Sequence, residues 1–213
     1  HKEMHAWSFW KKRYISVGIP YVSWTVLLLL GDLLLAGNFQ WGHYWSQLGY
    51  LLVHGTDYYM YYILVTFQLY LIFPFLVWLF KRFPESHGRI VLISLMFQVI
   101  LLMFLKYGMP NLSTTGWPFL LKNYGFNIIV YQFYFILGAY ASIHYTDFVA
   151  FIEKNHRFIG WTALVLGIGT LGEYAYNQYV LHLSMAKTLE VHQPYIFLYD
   201  LFVIGFIIWL GLQ

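Results

Sequence analysis

Residues 59–80 read YMYYILVTFQLYLIFPFLVWLF without a single charge, and residues 81–89, KRFPESHGR, then supply three basic groups. A helix rises about 1.5 Å per residue, so a run of this length crosses the roughly 30 Å hydrocarbon core of a bilayer. No water is present there to satisfy peptide groups, and a lone segment pairs its own N–H and C=O groups only as a helix. Five more apolar stretches lie on either side of this one, at 16–37, 90–109, 126–145, 158–176 and 195–213. The pattern predicts an all-α, polytopic membrane bundle of about six transmembrane helices, with residues 1–213 forming one membrane-embedded domain.

Composition agrees with that reading. Charged residues make up 10% of the 213 positions, far below the roughly 25% of a soluble domain. The 20 Tyr and 9 Trp suit rings held at headgroup level. A net charge of +3 is too small and too dispersed for a nucleic-acid partner, and without cysteine there is no disulfide, thiolate metal site or cysteine nucleophile. No GxSxG, Walker A, GxGxxG or HExxH pattern occurs, and no metal is expected.

The basic residues alternate between connections. Lys2, Lys11, Lys12 and Arg13 precede the first stretch, Lys81, Arg82 and Arg89 follow the second, and Lys154 and Arg157 follow the fourth. Lys106, Lys122 and Lys187 fall on the other side. The positive-inside rule makes the first set cytoplasmic. The opposite connections are longer and aromatic. Residues 177–194 are expected to form a short interfacial helix with Leu183, Met185, Leu189 and Val191 on its apolar side.

Three segments carry a likeness to a known family. KKRYISVGIPYVSWTVLLLL at 11–30 resembles the Lys/Arg-rich start of a membrane helix in the acyltransferase-3 family, with Pro20 and Tyr21 at the Pro-aromatic place. YYILVTFQLYLIFPFL at 61–76 resembles the next signature of that family, with Tyr70 and Pro74 in position, and FYFILGAY at 133–140 resembles a later aromatic-Leu-Gly-Ala element. The Gln68-Leu69-Tyr70 triplet is similar to that of the exopolysaccharide- and adhesin-modifying members. Tyr59, Met60 and Tyr61 stand where the family usually has His-Leu-Trp. The resemblance implies an integral-membrane acyltransferase of about ten helices, so this chain is expected to be an internal part of a longer protein. It also implies a proposed catalytic His upstream of this chain, behind an Arg.

Several side chains here could carry such chemistry. Lys11, Lys12 and Arg13 complement the phosphates of an acyl-CoA donor, with the guanidinium able to grip oxygens in pairs; equally, they suit plain cytoplasmic anchors. Asp32 and Glu173 are carboxylates in apolar stretches, where a charge costs about 2.5–3.5 kcal/mol, so each must face protein or water. Either a base for an acceptor hydroxyl or an interfacial acid fits them. His54 and Asp57, with His43 nearby, could form an imidazole–carboxylate pair, or simply loop polarity. Gln68, Tyr61 and Tyr58 could meet a glycan through an amide and aromatic faces; interhelical bonding and an interfacial belt are the other uses. Lys106, close to the end of its stretch, is expected to extend its ammonium to headgroup water.

The function these residues and the resemblance imply is transfer of an acyl group, acetyl above all, from a cytoplasmic acyl-CoA to a surface polysaccharide or its lipid-linked precursor. The setting would be a bacterial inner membrane, with lipid as the surrounding partner. A transporter or flippase for a lipid-linked sugar or small solute is the alternative; it predicts broken helices and repeat symmetry.

Overall fold

In the computed structural model, which describes residues 6–37, 40–55 and 60–213, every regular element is helical. Five helical stretches are long and apolar enough to cross a membrane. They are α1 (Ala6–Leu35), α3 (Tyr61–Arg82), α4 (His87–Met103) with the segments flanking it, α7 (Tyr145–Ala175) with a π-helical turn after it, and α9 (Pro194–Gly211). The sixth apolar stretch is shorter. It begins as 3-10 turns and becomes α6 (Gln132–Ile143), an apolar segment of Ile128–Ile143 in all.

Three connections differ from expectation. The aromatic stretch after the first span contains α2 (Trp41–His54). Tyr44, Leu48 and Leu51 recur at helical spacing, and they bury against Leu29 and Leu33 of α1. Gly55 ends α2 at φ +59, and a Cβ there would lie 2.6 Å from the Leu64 side chain, so glycine is required twice over. The basic clusters also lie on helices rather than in loops. Lys11–Arg13 are inside α1 and Lys154 and Arg157 are inside α7, because no breaker stops the backbone bonding where lipid gives way to water. Finally, 177–194 holds a single α-turn, α8 (Met185–Thr188), following the one-turn α5 (Phe119–Lys122) in chain order. Met185, Leu189 and Val191 remain exposed.

The chain divides into two compact units, one drawn from His1–Glu85 and Phe119–Ile129 and the other from Ser86–Pro118 and Val130–Gln213. In the first, α1 buries Tyr21, Thr25, Leu29 and Leu33, a stripe of every fourth residue. Its opposite end meets α3 through aromatic rings: Phe9 stacks on Phe73 at 4.9 Å and Tyr14 on Phe67 at 5.0 Å. Proline explains one contact at this seam. Pro74 has no N–H, so the Tyr70 carbonyl loses its partner within α3, and the Trp10 indole N–H donates to it at 2.8 Å. Tyr14 OH donates to the Phe67 carbonyl at 2.7 Å beside it.

In the second unit, α4 and α6 are joined by an amide ladder. Ser94 OH donates to Gln132 Oε1 at 2.6 Å, Gln132 Nε2 donates to Gln98 Oε1 at 3.0 Å, and Gln98 Nε2 donates to the Val130 carbonyl at 2.8 Å. Between α7 and α9, the Tyr195 hydroxyl reaches over Gly169 to the Leu166 carbonyl at 2.7 Å; no larger residue fits beneath that ring. Tyr134 OH donates to Asp200 Oδ2 at 3.1 Å, placing a carboxylate of α9 against α6.

Candidate functional site

Among the described residues, three groupings bear on the candidate chemistry. The first lies on α1. Lys11, Lys12 and Arg13 are all exposed, and among the described residues none of them forms an ion pair. Helical geometry sends them two ways. Lys11 and Lys12 line a shallow depression with Ser8, Ile15 and Ser16. Arg13 turns toward α3, its guanidinium over the rings of Phe9 at 5.8 Å and Tyr70 at 6.0 Å. The rings hold the cation by their quadrupole and leave its N–H groups available to an anion.

The second grouping is in the same unit, around the end of α2 and the start of α3. His54, the last residue of α2, has Nδ1 3.0 Å from the Tyr50 carbonyl. That carbonyl can only accept, so Nδ1 carries the proton and Nε2 the lone pair. The ring stacks on Tyr50 at 4.2 Å and meets Phe119 edge-on at 4.6 Å. Tyr61 packs on Phe126 at 5.4 Å. Gln68 spans the strand of backbone beyond: its Nε2 donates to the Phe126 carbonyl at 2.8 Å, and its Oε1 accepts from Ile128 N–H at 3.1 Å. Asp57 and Tyr58 lie outside the described residues. His43 is on α2 with His54, eleven residues and therefore about 16 Å along the helix from it, so the two do not meet. Asp32 is exposed in the last turn of α1, further along the helix than the 16–37 stretch implied, because α1 begins at Ala6 and stops at Leu35. No group of three or more His, Asp or Glu gathers among the described residues.

The third grouping, in the second unit, is the one sequence reasoning missed. Two π-helical turns, Phe104–Gly108 and Tyr176–Val180, deliver Lys106 and Asn177 to one buried network. Lys106 does not reach headgroup water. It is fully buried, its ammonium donates to the Lys187 carbonyl at 2.6 Å and to Gln193 Oε1, and Glu173 Oε1 lies 4.0 Å away. Glu173 also accepts from Asn177 Nδ2 and, through Oε2, from Gln193 Nε2 at 3.4 Å. Lys187 Nζ donates to the Leu105 carbonyl at 3.2 Å and pairs with Glu190 at 3.0 Å. The segment after α7 is thereby strapped to the end of α4.

The electrostatics of that strap follow from burial. Burial pushes the Glu190 carboxyl up to about 7, with the Lys106 charge opposing in part. Burial lowers the Lys187 ammonium, and the Lys106 charge lowers it further. His192, with Nε2 3.4 Å from the Tyr131 hydroxyl, is lowered by burial and then by Lys187. Part of the signal for this grouping was present in the sequence: Lys106 is the one charged residue of the 90–109 stretch and Glu173 the one of 158–176. Only the fold shows which of these polar groups meet.

A family model described as an acyltransferase domain matches residues 2–213. No curated protein and no solved structure matches the chain.

Proposed function

The chain belongs to the acyltransferase-3 family and is a membrane acyltransferase, and from that premise we propose that it moves an acyl group, acetyl above all, from cytoplasmic acyl-CoA to a surface polysaccharide or its lipid-linked precursor. Residues 1–213 act as one acyltransferase domain in this reading, set in a bacterial inner membrane with the Lys/Arg-rich segments inside. The observation that carries it is the Lys11–Lys12–Arg13 group: three exposed cations without a carboxylate partner among the described residues, one of them fixed over Phe9 and Tyr70. An acyl-CoA brings several phosphate charges, and a guanidinium binds phosphate oxygens in pairs.

The chemistry is an exchange at a thioester. The acceptor hydroxyl oxygen attacks the thioester carbonyl carbon, the C–S bond breaks, and the thiolate leaves as CoA. The hydroxyl proton must pass to a base. The family resemblance puts a catalytic histidine upstream of this chain; within it, His54 Nε2 is the candidate, with its tautomer set by the Tyr50 carbonyl. Asp32 and Asp57 are weaker candidates for the same role. The rings around His54, with Tyr61, offer faces for a sugar, and Gln68 positions the backbone next to them; Tyr58 is carried as a further acceptor-binding candidate on its place in the sequence alone.

The test is acetyl transfer by the full-length protein in lipid nanodiscs, followed with labelled acetyl-CoA and polysaccharide. Replacing Lys11, Lys12 and Arg13 together by Ala should raise the KM for acetyl-CoA at least tenfold while the KM for acceptor stays put. An unchanged donor KM would remove the donor-site assignment. Hydrolysis of acetyl-CoA without transfer to any glycan would remove the acceptor class.

A further inference from the structure

We propose that the groove between α7 and α9 is a binding site for one anionic phospholipid, with Arg157 taking the phosphate and the aromatic trench beyond it taking an acyl chain. The groove has a volume of about 720 Å³, within the usual range for a small-molecule site. At one end stand His156, Arg157 and Trp209; the remainder is walled by Trp161, Leu164 and Phe206. The Phe206 ring lies over Gly160, 3.0 Å from where a Cβ would be, so a side chain at position 160 would press on this wall of the trench. The His156 ring lies flat on Trp209 at 4.8 Å and 10°, and its Nδ1 is 2.6 Å from the Glu153 carbonyl, which fixes this wall. From 156 to 164 the trench follows α7 for about 12 Å.

Two features select the occupant. First, the surface around the groove is the surface of spanning helices: Phe158, Trp161, Val165 and Ile168 on α7 are each more than 60% exposed. An apolar trench that opens there meets hydrocarbon, and a chain already in the bilayer enters it without crossing water. Second, the charge lies at one end only. Arg157 and Lys154 stand one turn apart, both exposed, and neither forms an ion pair among the described residues, although Glu153 is on the same helix. Basic pockets between membrane helices on the cytoplasmic side suit anionic headgroups, and that is the side the positive-inside rule assigns to these two residues. A guanidinium at the end of an apolar trench matches a phosphate joined to an acyl chain.

The experiment is native mass spectrometry of the full-length protein in detergent, titrated with phosphatidylglycerol or phosphatidylcholine carrying the same chains. The parent should hold phosphatidylglycerol at least tenfold more tightly. Arg157→Gln should bring the two lipids within about twofold of each other, because it removes the cation that favours a net-anionic headgroup over one whose phosphate is offset by its own choline charge. Leu164→Trp, which fills the apolar end, should weaken both lipids alike. Equal affinity of the parent for the two lipids overturns the proposal without any variant. A preference that survives in Arg157→Gln overturns it too. So does displacement of bound phosphatidylglycerol by decanoyl-CoA that Arg157→Gln abolishes, since the groove would then belong to a thioester.

Discussion

Replacing Lys106 by Met keeps the length and apolar body of the side chain and removes only its charge and donors. In the parent, that ammonium is fully buried, donates to the Lys187 carbonyl and Gln193 Oε1, and stands 4.0 Å from a Glu173 carboxylate whose side chain is 13% exposed. Two unit charges 4 Å apart attract by about 4 kcal/mol at an effective dielectric of about 20. Desolvation offsets much of that gain in the intact pair, but the variant leaves Glu173 buried without its cation, and breaking a buried pair in this way costs about 3–5 kcal/mol. For a chain of this length, 1 kcal/mol moves the melting midpoint by about 2–4 °C, so Lys106→Met should melt about 6–20 °C lower. Thermal unfolding of detergent-purified protein, followed by tryptophan fluorescence, reads this out. Adding Glu173→Gln should recover part of the loss, because a neutral amide no longer lacks a counter-charge. A Lys106→Met protein melting within about 2 °C of the parent would refute the argument, and so would a double variant less stable than the single one by the full cost of Glu173→Gln measured alone.

Two smaller perturbations test neighbouring claims. Glu190 has a folded value near 7 against an ordinary value of 4.5; the folded state therefore holds more protons than the unfolded one between these limits. Its contribution to stability is present below about pH 4.5 and lost as pH rises to about 7. Subtracting the profile of Glu190→Gln from that of the parent should show a fall of about 3 kcal/mol at most across that window, isolated from the opposite trend of His192; a flat difference from pH 4.5 to 7 argues against burial of the acid. Gln68→Ala leaves the Phe126 carbonyl and the Ile128 N–H without the side chain that bonds both. A loss of about 1–3 kcal/mol is expected, with faster hydrogen exchange at Ile128; parent-like exchange there would show that the amide clamp contributes nothing.

How much of this was legible without coordinates differs by unit of structure. Uninterrupted apolar length is a one-dimensional property, and the five long spans could be read from it because lipid permits no other backbone solution. α2 was less legible: its outward face mixes His43 and Ser46 with the large apolar Trp41, Trp45 and Val53, so residue type alone does not single out Tyr44, Leu48 and Leu51 as the ones that bury. Lys106 was misread for a related reason. A lysine near the end of an apolar run normally extends to water, and only the Gln193 and Glu173 side chains, almost ninety and seventy residues away, make burial the better state. Its π-turn, which sets where the ammonium points, has no spacing signature in the chain.

The order of residues alone determined that this polypeptide is helical and lipid-embedded and that its motifs resemble those of acyl-transferring enzymes, because peptide hydrogen bonding in hydrocarbon depends on local composition. Which polar groups pair was decided only by tertiary structure. The free Tyr70 carbonyl above Pro74 finds Trp10 sixty residues away, Gln68 finds the 126–128 backbone, and Lys106 finds Gln193. A buried donor takes whichever acceptor packing brings within about 3 Å, and packing is a property of the folded chain.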